Sequence, residues 1–129
     1  PELANLVHEA SKEGYNQYAP MEGVLPLREA LAEKVQFLYN VKIDPLHEIT
    51  ITPGATYAIF NSLATIIFPG DEIIVFEPVF DSYIPGIKVL GGVPVPIPLT
   101  KPDYRYNWEE VIKKITPKTK AIIINSPHN

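Results

Sequence analysis

The 129-residue chain has the length of one ordinary domain, and its 46% apolar share is enough to build a hydrophobic core. A formal net charge of −4 argues against a broad nucleic-acid surface, and the lack of cysteine excludes disulfides and thiol-bound metal and fits a reducing, cytoplasmic setting. No apolar run is long enough to span a bilayer, and three histidines with scattered carboxylates show no metal-ligand spacing.

Pro1 stands where a helix over residues 1–12 would begin, with Leu3, Leu6, Val7 and Ala10 on one face and a stop at Gly14. A tyrosine-rich loop follows, Tyr15-Asn16-Gln17-Tyr18-Ala19-Pro20-Met21-Glu22-Gly23. Loops that serve only their own subunit are more often polar, so Tyr15, Tyr18 and Met21 suggest a buried contact. A second helix is expected over residues 25–39, with Pro26 in its first turn and Leu27, Leu31, Val35 and Leu38 as an apolar stripe.

From residue 48 the rhythm changes to alternating strands and helices. Residues 49–52 read as a strand, 55–68 as a mostly apolar helix, and 72–76 as a buried strand after the Pro69-Gly70-Asp71 break. Asp81 or Ser82 is positioned to cap a short helix ending at Gly91-Gly92. In the next strand, 93–97, proline at alternate positions 94 and 96 puts both missing N–H groups on one side, which fits a sheet edge. Trp108, Val111, Ile112 and Ile115 mark a helical face, and 121–124 is a short apolar strand. Lys113, Lys114, Lys118 and Lys120 read as a solvated helix end and its loop. The order predicts an α/β fold: a mostly parallel sheet between two helix layers, α/β/α, preceded by two helices.

In such sheets ligands bind where strand ends meet the following loops, and three of these loops carry chemistry. In Thr52-Pro53-Gly54-Ala55-Thr56 a glycine lets the backbone approach a ligand, and the helix start offers N–H groups to an anion beside the Thr56 hydroxyl. The run lacks the Walker lysine and the dinucleotide glycine pattern, and alone it also reads as a plain turn. Glu77-Pro78-Val79-Phe80-Asp81-Ser82-Tyr83 offers Phe80 as a flat plate for an aromatic ring, although alone Phe80 and Tyr83 also read as core aromatics. Asn125-Ser126-Pro127-His128-Asn129 supplies an amide donor at Asn129 and a titratable His128. No Ser/His/Asp set has supporting spacing.

Taken in order, Asn16-Gln17-Tyr18 with Gly23, Leu27-Arg28-Glu29-Ala30, Ile51-Thr52-Pro53-Gly54-Ala55-Thr56, Pro69-Gly70-Asp71-Glu72, the Glu77 loop and the Asn125 loop cover nearly the whole chain. Together they resemble the class I/II aminotransferases of pyridoxal-phosphate (PLP) fold type I, particularly the methionine, glutamine and kynurenine aminotransferase branch. The resemblance implies that residues 1–47 form a helical segment with a dimer-contact loop, and 48–129 the first part of the PLP-binding large domain. It implies that Ala55 and Thr56, following Gly54, hold the cofactor phosphate, and that Phe80 stacks on the pyridine ring. It also implies that Asn129 bonds the phenolic oxygen and that Tyr18 reaches a partner subunit's phosphate across a homodimer with a shared active site. The family often has glycine where Ala55 stands, so the backbone conformation there matters.

The same resemblance leaves no catalytic residue in this chain. The Schiff-base lysine, the aspartate that pairs with the pyridine nitrogen and the arginine for the substrate carboxylate are expected beyond residue 129, and a substrate-closing segment before Pro1. The expected parent moves an amino group between an amino acid and a 2-oxo acid, with no metal, nucleic-acid or membrane partner. Three other readings share some of these motifs. They are a PLP-dependent β-lyase of the same fold, an aminotransferase-like effector domain of a transcription regulator, and a phosphate-binding α/β protein without PLP.

Overall fold

The computed structural model describes residues 1–127, and the chain divides into two compact units, Pro1–Thr52 and Pro53–Asn129. The segment behind the second helix is tied back into the first unit. Ile51 N–H donates to Glu22 C=O at 2.9 Å, and Gly23 lies so close under the Ile51 side chain that any Cβ there would clash.

The first unit holds α1, Glu2–Lys12, and α2, Leu25–Tyr39. Pro1 precedes α1 as its N-cap residue, so the helix begins one position later than expected. α1 ends where Gly14 takes φ +93°, a conformation that costs glycine little, and Tyr15 N–H closes the turn onto Ala10 C=O at 3.1 Å. Its apolar face of Leu3, Leu6 and Val7 is exposed. α2 keeps the predicted bounds but not the predicted stripe. Leu27 and Leu38 are exposed, Leu31 and Val35 are half-buried, and the one buried side chain is Arg28. Its Nη1 donates to Pro45 C=O at 2.9 Å and Leu46 C=O at 3.2 Å, pinning α2 to the turn that follows it. Hydrophobicity alone points to Leu27, yet the guanidinium's carbonyl partners draw position 28 inward.

The second unit holds α3 (Ala55–Ile66), β1 (Glu72–Glu77), α4 (Tyr83–Val89), β2 (Val93–Pro98), α5 (Trp108–Lys114) and β3 (Thr119–Ile122). The three strands form one parallel sheet in the order β2-β1-β3. β1 is central and its apolar residues are buried on both faces. Ile73 and Val75 pack with Leu63 and Ile67 from α3 and its end and Ile87 of α4, while Ile74 and Phe76 pack with Ile97, Leu99 and Val111 of α5. Alternation along one strand thus serves two helix layers, which gives the predicted α/β/α sandwich.

The edge position of β2 follows from its prolines. Val93 N–H donates to Asp71 C=O and Leu99 N–H to Glu77 C=O, each at 2.8 Å, so odd positions face β1. Pro94, Pro96 and Pro98 occupy the even positions, where the ring costs no ladder bond.

Four local expectations fail. Residues 49–52 are extended but form no strand, since no strand among the described residues takes up their N–H and C=O groups. α3 stops at Ile66, two residues short, because Phe68 N–H turns to Asp71 Oδ2 at 2.9 Å and Gly70 adopts φ +91°. Ser82 precedes α4 but does not cap it: its own backbone is already helical (φ −81°, ψ −18°), and its buried Oγ has no hydrogen-bond partner among the described residues. β3 begins two residues earlier than predicted, and Ile123 N–H continues its pairing onto Ile74 C=O at 2.9 Å. In contrast α5 is capped as its chemistry suggests, with Asn107 Oδ1 accepting from Glu110 N–H at 3.3 Å.

Candidate functional site

The turn into α3 is built around one backbone conformation. Gly54, the N-cap residue, has φ +95° and ψ 166°, a region open essentially to glycine alone. Nothing crowds its missing Cβ, so glycine is required there by torsion and not by space. Ala55 is the first residue of the helix, and its methyl therefore sits on ordinary right-handed backbone. The departure from a glycine at that position costs the turn nothing. Among the described residues no side chain caps α3, so the leading N–H groups of Ala55 and Thr56 lie at the positive end of the helix dipole, and both residues are exposed. A helix start of this kind has the polarity that suits an anion.

β1 ends at Glu77, and the chain then turns through Phe80 into α4. Tyr83 N–H donates to Phe80 C=O at 3.1 Å, which makes the loop a single tight turn. Phe80 is half-buried, with its ring set edge-to-face against Tyr83. Val79 and Ile84, on either side, pack against the core of Leu63, Ile67 and Ile87. The loop is thereby anchored on apolar contacts while Phe80 stays partly accessible.

Two clefts border these elements. One of about 500 Å³ runs between α3 and α4, with Thr56, Tyr57 and Phe60 on one wall and Ser82, Pro85 and Gly86 on the other. Another of about 300 Å³ lies between Ala58 and Ser62 of α3, Tyr83, and Ile123 and Ile124 beyond β3. The first cleft brings Thr56 together with the end of the Phe80 loop at Ser82, but Phe80 itself lines neither cleft. Tyr57 and Phe60 of that wall were not singled out from the sequence. Helical spacing holds the signal, because Thr56, Phe60 and Leu63 recur at i, i+4 and i+7.

The other sequence-derived site residues lie elsewhere. Tyr18 is fully exposed at 100% of its surface, as Tyr15 and Met21 nearly are, and all three belong to the first unit. Asn129, with His128, lies outside the described residues. Away from the site, the Asp44 carboxyl is held below the usual aspartate range, chiefly by its hydrogen bond with the His47 ring at 2.7 Å and then by Leu46 N–H at 2.8 Å. Among the described residues no group of three or more His, Asp or Glu side chains is placed to hold a metal ion, and no helix is long and apolar enough to cross a membrane.

Residues 2–129 match the family described as aminotransferase class I and II. The chain is 41% identical over 124 residues to the methionine aminotransferase of Escherichia coli (strain K12), covering 96% of this chain and 32% of that protein. It is 38% identical over 132 residues to a probable N-succinyldiaminopimelate aminotransferase of Mycobacterium tuberculosis, covering all of this chain and 33% of the relative. Among solved structures, an Escherichia coli protein whose crystal structure and reactivity identify a methionine aminotransferase function superposes with a TM-score of 0.96 at 39% identity, over 98% of this chain and 34% of that one. The chain spans about a third of the length of the curated relatives it matches.

Proposed function

The chain belongs to the class I and II aminotransferases, and from that membership we propose that it forms the leading part of a PLP-dependent enzyme that transfers an amino group from an amino acid to a 2-oxo acid. Family members are generally PLP-dependent. In this proposal residues 48–129 begin the cofactor-binding domain, and residues 1–47 supply a helical segment and a dimer-contact loop. The parent works as a cytoplasmic homodimer.

The observation that carries the reading is the α3 start behind Gly54, which has no side-chain cap among the described residues and whose N–H groups suit an anion such as the cofactor phosphate. The N–H groups of Ala55 and Thr56 donate to that phosphate, and the Thr56 hydroxyl adds a further donor. Phe80 supplies an apolar face for the pyridine ring, so that ring stacking fixes its plane and excludes water from one side. Asn129 donates its amide to the phenolic oxygen. Tyr18 of a second copy reaches the phosphate, an arrangement supported by an aromatic loop left bare in the single chain. When bound, PLP supplies an electron sink for the charge that develops at the amino-acid Cα. The residues of this chain bind and orient it; the described residues assign no proton-transfer group.

The test uses the intact protein. Thr56→Val keeps the shape of the side chain and removes its hydroxyl. A hydrogen bond to a charged group contributes about 1.5–3 kcal/mol, so PLP affinity falls by about ten-fold to a hundred-fold in a spectroscopic titration. Unchanged affinity would remove Thr56 from the phosphate site. An intact protein that binds no PLP, or that transfers no amino group across a panel of amino acids and 2-oxo acids, would refute the function.

A further inference from the structure

The turn after β1 holds two aromatic rings whose geometry gives the second one a task. Phe80 and Tyr83 meet with ring centroids 5.6 Å apart and planes inclined at 67°, an edge-to-face contact in which the positive rim of one ring meets the negative face of the other. Tyr83 is the firmer of the two. It is the first residue of α4, a helix held by the fully buried Ile87, and it is flanked by Ile84, which packs on the same core. One side of it borders the 300 Å³ cleft, across from Ala58 and Ser62 of α3 and Ile123 beyond β3. Phe80, in contrast, sits in the turn itself, and its two side-chain torsions are limited by what its ring touches. The backbone bond from Tyr83 N–H to Phe80 C=O fixes the spacing at which the rings meet.

We propose that Tyr83 is a positioning residue: its ring, and not its hydroxyl, sets the tilt of Phe80 and holds that plate ready for a flat aromatic ligand. The proposal rests on the reading of Phe80 as the plate under the PLP ring. Without the contact, Phe80 must lose its rotamer freedom at the moment of binding; with it, that freedom is already gone in the free protein. The contribution of such a pair, about 0.5–1.5 kcal/mol, corresponds to about two-fold to ten-fold in affinity.

The experiment titrates PLP into the intact protein and its variants Phe80→Leu, Tyr83→Phe and Tyr83→Leu. Affinity is read from absorbance, and the tilt of the bound ring from its induced circular dichroism at saturating PLP, which a simple loss of stability does not move. Tyr83→Phe should match the parent in both. Tyr83→Leu should bind about two-fold to ten-fold more weakly and with a diminished dichroic band. If Tyr83→Leu does not fold, Tyr83→Met, bulky but without a ring, carries the same expectation. A parent-like band in the ring-less variant overturns the proposal. So does an equal loss in Tyr83→Phe, which would assign the effect to the hydroxyl. If Phe80→Leu changes neither affinity nor band, the reading of Phe80 fails and this proposal with it; a change in Phe80→Leu but none in Tyr83→Leu defeats the proposal alone.

Discussion

The strand β1 and the helix α1 are both short and rich in apolar residues, yet they end in opposite environments. Every apolar side chain of β1 is buried, whereas α1 has no buried residue at all. The strand's neighbours come from the chain that directly follows and precedes it: β2 and β3 on its two edges, α3 and α4 on one face, α5 on the other. Each apolar residue of β1 finds its cover within the run from α3 to β3, so the element is completed by its near neighbours in sequence. α1 has the helical pattern but no such cover among the described residues. The first unit is held instead by polar ties, Arg28 to two carbonyls, Asp44 to His47 and Leu46 N–H, and Glu22 C=O to Ile51 N–H. A sheet strand buries what lies near it in sequence, and an amphipathic helix only announces that it wants a partner.

The sharpest test of this contrast compares truncations in the two regions. Ile74→Ala opens a cavity between β1 and α5 and should cost about 2–5 kcal/mol in denaturant unfolding. Leu6→Ala, on the bare face of α1, should cost within about 0.5 kcal/mol in the same measurement on this chain. Equal costs would show that α1 is covered in solution.

A smaller effect should separate the units themselves. Arg28 is 7% exposed, and Arg28→Ala removes both of its carbonyl contacts. A loss of about 1–3 kcal/mol should follow, read as faster amide exchange in residues 25–48 with little change in β1. Faster exchange throughout β1 would mean that the polar ties of the first unit also support the sheet.

The smallest effect is one of pH. The folded Asp44 carboxyl titrates below the ordinary aspartate value of 3.8, so its contribution is fully present above that value and is lost as pH falls through the folded value. Amide exchange at Leu46, whose N–H it accepts, should therefore rise below about pH 3.8, and Asp44→Asn should abolish that step. An identical acid response in Asp44→Asn would assign it to another group. The group is exposed, so the effect on global stability is small.

Some features of this molecule are carried by a single residue and are legible without its neighbours. Gly14 stops α1 because its φ is positive, Gly54 turns the chain into α3 for the same reason, and Pro94 and Pro96 put β2 at an edge because they lack an N–H. The unbroken apolar run of 73–76 announced a buried strand, and the alternation of strands and helices the layered fold. Features that need a distant partner were not legible. Residues 49–52 have strand chemistry but no strand to pair with among the described residues, Ser82 has capping chemistry but helical backbone, and α2 turns Arg28 inward where hydrophobicity favoured Leu27. The cleft between the wall of Thr56, Tyr57 and Phe60 and the wall of Ser82, Pro85 and Gly86 likewise exists only once α3 and α4 are brought side by side. A torsion or a missing donor belongs to one residue and travels with the sequence. Burial and hydrogen bonding belong to pairs, and the second member of each pair is chosen by the fold.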